Sequence, residues 1–342
     1  MELDPEDNTN NKNTNEIKIS KIDDNDDNEE DIKKENPDDG LTRNYIGDEN
    51  HQIDEDEEHI QFFSERICRI EKLSGCKNLK RLLLRKNLVK KIENLEKLTT
   101  LEELELYDNQ ITKIENLDSL INLEILDLSY NLIKKVEGLD SLLNLKTLYL
   151  VENRIKKIEN VSKLKNLNEL DFGSNKITEI ENIEELRFNL TRLSLAKNKI
   201  KEISGLNLMT KLQFITLQSN RIIRISGLEE LINLKELYIS QNFISKIEGL
   251  STLSELIILD IAYNRIEKLE NLDNKTKLED LWLNDNLIKN FTDLDELSKV
   301  PNVTCIYLTK NPVSLYPSFK QICLKHCPKL NQLDGNYVHG FN

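Results

Sequence analysis

Residues 101–117, LEELELYDNQITKIENL, change their apolar spacing partway along. Leu104 and Leu106 lie two apart; after Asn109, the apolar residues Ile111, Ile114 and Leu117 lie three apart. A spacing of two puts side chains on one face of a strand, whereas on a helix the same pair would diverge by about 200°. A spacing of three suits a limb with three residues per turn, 3₁₀-like or extended. Residues 123–139, LEILDLSYNLIKKVEGL, make the same switch, with Asn131 in the place of Asn109.

Working outward, the asparagines keep register: Asn87, Asn109, Asn131, Asn153, Asn175, Asn198, Asn220, Asn242, Asn264, Asn286 and Asn311. The step is 22, lengthening to 23 into Asn198 and 25 into Asn311. Counting back from Asn87 reaches Glu65, flanked by Ile60, Phe62, Ile67 and Ile70 in the same apolar slots, a degenerate first unit. Twelve units with this period read as leucine-rich repeats, each of which buries its apolar edges only against copies of itself. The expected fold is an α/β solenoid: a horseshoe with a parallel sheet on the concave face and 3₁₀ or extended convex limbs. The Asn column falls where the chain leaves the strand, so its carboxamides should satisfy turning backbone rather than a ligand. Lys91, Lys113, Lys135 and Lys157, each two residues before a Glu, read as a solvated flank.

The ends differ from the array. Residues 1–58 hold 22 of the 61 acidic residues and 6 of the 47 Lys and Arg, a net −16 that leaves the rest at +2. Nucleic acid suits neither part. Poor in apolar residues, residues 1–56 are expected to be a disordered acidic tail, with the array over 57–311. Residues 312–342 should cap it: Pro317 can open a short helix, Phe319, Ile322 and Cys323 share a face, and Leu330 and Leu333 close the core. Neither a basic, apolar leader nor a run of about 18 apolar residues occurs, so an intracellular protein with no membrane contact is expected. The five cysteines are expected to be free thiols. Cys323, His326 and Cys327 lack a nearby fourth zinc ligand, and Cys residues four apart on a helix fit one buried face.

No enzyme chemistry is legible. The four histidines, His51, His59, His326 and His339, lie outside the repeat surface, and there is no phosphate loop or HExxH pair, so no catalytic group, metal or cofactor is expected. The varying surface is the column between the strand leucines, which includes Glu105, Asp127, Tyr149, Asp171, Ser194, Thr216, Tyr238, Asp260, Trp282 and Tyr307. With Asp280 two residues before Trp282, it suits a basic, partly apolar protein surface.

The uniform unit, the KIENL limbs, the cap and stretches such as LYDNQITKIENL, LEILDLSYN, FGSNKI and WLNDNLI resemble the leucine-rich-repeat regulatory subunits of protein phosphatase 1, over about residues 58–337. That resemblance implies a non-enzymatic protein of nucleus and cytoplasm that binds the phosphatase catalytic subunit, tied to its maturation, inhibition or targeting, and leaves open a further regulatory protein. It also implies a site on the concave column. The family's acid, aromatic, acid and aromatic on four successive strands fall on Asp127, Tyr149, Asp171 and Ser194, where the serine departs from the pattern. Its later acid and tryptophan on one strand and tyrosine on the next fall on Asp280, Trp282 and Tyr307. The alternative is a leucine-rich-repeat adaptor of a ribonucleoprotein or axonemal complex; the acid-aromatic column argues against RNA. A secreted adhesin of the same repeat length is disfavoured by the missing leader and the free thiols.

Overall fold

A computed structural model describes residues 44–338 of the chain. The apolar pairs spaced by two form three-residue strands whose central residue points into the core, as Leu104 does in Glu103–Glu105. With the two-residue strands that cover the ends, the strands in chain order are β1 (Asn44–Tyr45), β2 (His59–Gln61), β3 (Ile67–Arg69), β4 (Arg81–Leu83), β5 (Glu103–Glu105), β6 (Ile125–Asp127), β7 (Thr147–Tyr149) and β8 (Glu169–Asp171). There follow β9 (Arg192–Ser194), β10 (Phe214–Thr216), β11 (Glu236–Tyr238), β12 (Ile258–Asp260), β13 (Asp280–Trp282), β14 (Cys305–Tyr307), β15 (Gln332–Leu333) and β16 (Asn336–Tyr337). Strands β2 and β4 to β15 pair in parallel in chain order, and β16 closes the sheet antiparallel to β15. Leu104 opposes Leu126, which opposes Leu148, so the sequence period is the sheet register.

The return limbs are chains of tight turns. Leu98 donates to the carbonyl of Leu95 at 3.0 Å, and Leu101 to that of Leu98 at 3.1 Å, which brings every third side chain to the core edge. The extra residue before Asn198 opens a 3₁₀ turn at Glu184–Phe188, and the long repeat before Asn311 contains another at Phe291–Lys299. Among the described residues the single α-helix is α1 (Phe319–His326), in the cap.

Asparagine ladders tie the turns together. Asn131 Nδ2 donates to the carbonyls of Leu106 (2.9 Å), Leu128 (3.0 Å) and Ser129 (3.1 Å), while its Oδ1 accepts from Ile111 N at 2.9 Å. The residue before each Asn from Asn87 to Asn311, whether Lys86, Tyr130 or Lys310, is left-handed with φ between 52° and 58°. That conformation costs roughly 1–2 kcal/mol per L-residue, and the carboxamide bonds offset it. A second ladder explains the KIENL and KVEGL limbs: Asn116 Nδ2 donates to Ile92 O at 2.7 Å, and at the corresponding turn Gly205 has φ +67° and a Cβ would lie 2.2 Å from Ile180 O.

Both ends are covered, and the N-terminal cover differs from expectation. Residues 44–56, assigned from sequence to the disordered tail, are folded; residues 1–43 of that tail lie outside the described residues. Strand β1 pairs with β3, Ile46 is fully buried, and the Lys72 ammonium donates to Gly47 O at 2.6 Å. His51 is buried edge-on against Phe62, with Nδ1 2.7 Å from Asp48 Oδ1. At the other end Phe319, Cys323, Leu330 and Leu333 are buried, and β15 and β16 cover the edge of β14. One core position is unlike its column: Lys275 takes the limb slot that Leu231, Leu253 and Val300 fill, and has no exposed surface.

A candidate protein-binding face

Because side chains alternate along a strand, the first and third residues of each strand share the face opposite the leucine core. Strand pairing places Glu105, Asp127, Tyr149, Asp171, Ser194, Thr216, Tyr238, Asp260, Trp282 and Tyr307 in one unbroken row. Asp280 belongs to the parallel row, opposite Ile258 and Cys305. All the sequence-derived positions are therefore brought together, but they are not equally available.

Three carboxylates are turned partly to the framework. Glu105 is 7% exposed and accepts from Arg85, with Nη2 2.6 Å from Oε1. Asp127 Oδ1 accepts from Ser129 N at 2.8 Å. Asp260 is only 3% exposed: its Oδ1 accepts from Ala262 N, and its Oδ2 accepts from Ser240 Oγ (2.7 Å) and Gln218 Nε2 (2.8 Å). Tyr238 and Trp282 flank it on either side with ring centroids 6.1 Å apart, so Asp260 shapes the surface rather than presenting a charge to it.

Asp171 and Asp280 differ in kind. Burial raises the Asp171 carboxyl above its usual range despite the 2.7 Å bond from Gly173 N, and burial likewise raises Asp280 despite the neighbouring Cys305 thiol. A carboxylate partly withdrawn from water gains when a cation arrives. Tyr149 and Tyr238 are pushed up to about 12, by burial and by Glu169 and Glu236 respectively, so both present neutral phenols. Trp282 packs edge-on against Tyr238 and, at 6.2 Å, Tyr307. Its indole Nε1 is buried and makes no well-formed hydrogen bond, its one polar neighbour being the weakly accepting Cys305 sulfur. The Cys305 thiol on the adjacent strand is pushed up to about 11 by burial and by Asp280. The sequence reading places Trp282 on the outward column as a contact residue; the structure adds that it is half-buried, with Tyr238 on one side and Tyr307 on the other.

Residues outside the row complete the face. Phe214, the first residue of β10, lies 5.6 Å from Tyr238 and beneath the Arg192 guanidinium, and Tyr107 packs on Tyr130 at 4.9 Å. Phe214 is legible as an aromatic at an outward strand position, one that inspection of the third strand position alone passes over. In the cap, burial pushes Cys323 up to about 12 and Cys327 to about 11, and His326 faces Asp295 at 3.1 Å. A shallow depression of about 350 Å³ on the flank is lined by Glu124, Asn144, Lys146, Asn166, Asn168 and Asn189. Asn144 and Asn166 there donate to Ile121 O and Leu143 O, bonds that tie one repeat to the last.

Comparison with solved structures places the fold. An internalin (inlF) of Listeria monocytogenes is 24% identical with a TM-score of 0.66, the match covering 84% of this chain and 88% of that one. A leucine-rich-repeat protein of Leptospira interrogans is 24% identical with a TM-score of 0.65, covering 78% and 75%. TLR13, in a complex with ssRNA13, is 19% identical with a TM-score of 0.68, over 83% of this chain and 44% of that one. Identities this low carry the fold alone. Comparison with curated proteins gives no match. The family model for leucine-rich repeats in two copies matches residues 77–119, 99–141, 143–185, 189–230 and 210–252, and a further leucine-rich-repeat model matches 234–340. With the repeat period, the strand register and these matches in agreement, the chain belongs to the leucine-rich-repeat family.

Proposed function

We propose that the chain is a non-enzymatic regulatory subunit that holds the catalytic subunit of protein phosphatase 1 on its concave sheet, in nucleus and cytoplasm. The leucine-rich-repeat array supports a protein-interaction scaffold; the choice of partner rests on the sequence resemblance to regulatory subunit 7. The observation that carries the reading is the state of Trp282. It stands on the sheet face instead of the core, between two tyrosines, beside a half-buried carboxylate, and with a buried indole N–H whose one polar neighbour is the weakly accepting Cys305 sulfur. An unsatisfied buried donor costs roughly 1–3 kcal/mol, and tryptophan and tyrosine clusters of this kind are where interface energy concentrates.

The test is a titration of the catalytic subunit with the full chain. Trp282→Ala should keep the wild-type melting temperature within a few degrees and weaken binding about 30-fold, the factor for a hot spot of about 2 kcal/mol. Lys135→Ala, which removes an exposed pair with Glu137, should bind like wild type. Failure of the wild-type chain to bind the catalytic subunit would sink the proposal.

A further inference from the structure

Across the ten strands β5 to β14, the outward positions carry eight acids and a single basic residue, Arg192. It sits at the middle of the face, one strand beyond Asp171 and two before Tyr238. Its guanidinium lies 4.0 Å from the centroid of the Phe214 ring, a stacking that holds the plane in place. Its side chain nonetheless stays 43% exposed, and the one charged contact, Nε to Glu169 at 3.6 Å, is too long for a hydrogen bond. Its terminal nitrogens have no hydrogen-bond partner among the described residues. From Phe214 the rings run on across the strands, 5.6 Å to Tyr238, 6.1 Å from there to Trp282 and 6.2 Å to Tyr307. The cation therefore heads an aromatic track that spans four strand spacings, roughly 20 Å.

A guanidinium already fixed on a ring has little freedom left to lose on binding, and its fork matches a carboxylate with two parallel hydrogen bonds. Charge complementarity fixes the rest of the partner. The partly exposed acids on either side, Glu169 and Asp171 before it and Glu236 and Asp280 beyond, call for cations, but a uniformly basic surface would set like charge against Arg192 and lose affinity there. We propose that Arg192, seated on Phe214, receives the carboxylate of one Asp or Glu of a protein partner whose surrounding surface is basic and whose apolar side chains lie along Tyr238, Trp282 and Tyr307. The inference rests on the reading that this face binds protein, and it adds the element that selects among basic partners.

Titrating the phosphatase catalytic subunit with full-length wild type, Arg192→Lys and Arg192→Glu tests it. Arg192→Glu should weaken binding about tenfold or more, Arg192→Lys less, because an ammonium keeps the charge but loses the fork, and both should melt like wild type. If Trp282→Ala weakens binding while Arg192→Glu binds as tightly as wild type or tighter, the face is correct and the carboxylate inference is overturned. If the wild-type chain does not bind the catalytic subunit, the phosphatase reading fails, and selection from a random peptide library on the immobilised full chain decides the inference by itself. Enriched peptides should then carry one Asp or Glu among Lys, Arg and apolar residues, and Arg192→Glu should abolish the acid. Enrichment without that acid, an acid indifferent to the substitution, or no enrichment overturns it.

Discussion

Asn153 shows how a single side chain holds two repeats. Its Nδ2 donates to Leu128 O at 2.9 Å and to Leu150 O and Val151 O at 3.2 Å, and its Oδ1 accepts from Ile133 N at 3.0 Å. Asn153→Ala leaves those buried groups unpaired, so a loss of roughly 1–3 kcal/mol is expected in urea unfolding, with affinity for the catalytic subunit unchanged once folded protein is compared. A wild-type midpoint would show that the ladder does not carry stability. This role is legible in the sequence, because an Asn recurring every 22 residues just past a strand has only backbone to serve. The fate of the carboxylates is not: Asp171 and Asp260 occupy equivalent positions, yet Asp171 stays partly exposed with its carboxyl raised by burial, while Asp260 is almost wholly covered and held by Ser240 and Gln218, residues of other repeats. Spacing tells which face a side chain joins, whereas its ionisation depends on what its neighbours on that face happen to be. Asp280 turns this difference into a pH effect. Its carboxyl is raised by burial, so protonation relieves the free chain, and as pH falls from above that raised value toward the ordinary one these groups favour the fold. Binding runs the other way: a partner cation needs the carboxylate, so affinity should drop as pH falls from neutrality toward about 4, and Asp280→Asn should bind more weakly at pH 7 but lose part of that slope. Identical pH profiles for the two proteins would remove Asp280 from the interface.

At the scale of elements, the strands, turns and C-terminal cap follow from the sequence because each repeats a pattern or carries a helix signal, while the N-terminal cover does neither. Residues 44–56 have one decisive apolar residue, Ile46, in an acidic surrounding, and composition reads them as tail. Pairing of β1 with β3 supplies what composition lacks: Asn44 N donates to Arg66 O at 3.2 Å, and Ile46 closes on a first repeat that has no predecessor to stack against. A chain beginning at residue 57 should therefore be less stable than one beginning at residue 43. Burying one isoleucine is worth about 1.5–3 kcal/mol, and a comparable drop is expected in the urea midpoint; equal midpoints would show that the cover is incidental. Acid should open the same element. The Asp48 carboxyl is held down at about 2, first by the Tyr45 N–H, against opposing desolvation, and then by His51 and the Asn50 N–H. Its stabilisation is present above the ordinary carboxylate value and is lost as pH falls from about 4 toward 2, so amide exchange at Ile46 should accelerate in that window in wild type and already be fast at neutral pH in Asp48→Ala.

For the whole molecule, stability in a stack of this kind is close to a sum of repeat terms and nearest-neighbour interfaces, so one poor contact weakens the array on both sides of it. Lys275 is that contact. Buried between the Leu253 and Val300 positions of its column, it has its Nζ 3.1 Å from Asp273 O, and burial pushes its pKa down while Asp273 opposes the shift. The surroundings reinforce the site in compensation: Glu296 Oε1 accepts from Leu272 N at 2.9 Å, and Lys299 bridges Asp273 at 2.9 Å and Glu296 at 3.0 Å, tying the next 3₁₀ turn back onto this limb. Lys275→Leu replaces a dry cation with the side chain used elsewhere in the column. It should raise the stability of the array by about 1–3 kcal/mol, the scale of one buried leucine. The sign with pH is fixed by the direction of the shift. A lysine whose folded pKa is lowered binds fewer protons in the fold than in the unfolded chain, so wild type should gain stability as pH rises through that lowered value toward the ordinary one near 10. The leucine variant should lose this gain and keep a flatter profile. Because the twelve repeats share one continuous core and one sheet, the increase is expected as a shift of the single unfolding transition, not as a new phase. A variant with an unchanged midpoint and the same pH profile would mean that the Lys275 ammonium reaches water after all, and that the stack has no weak joint there.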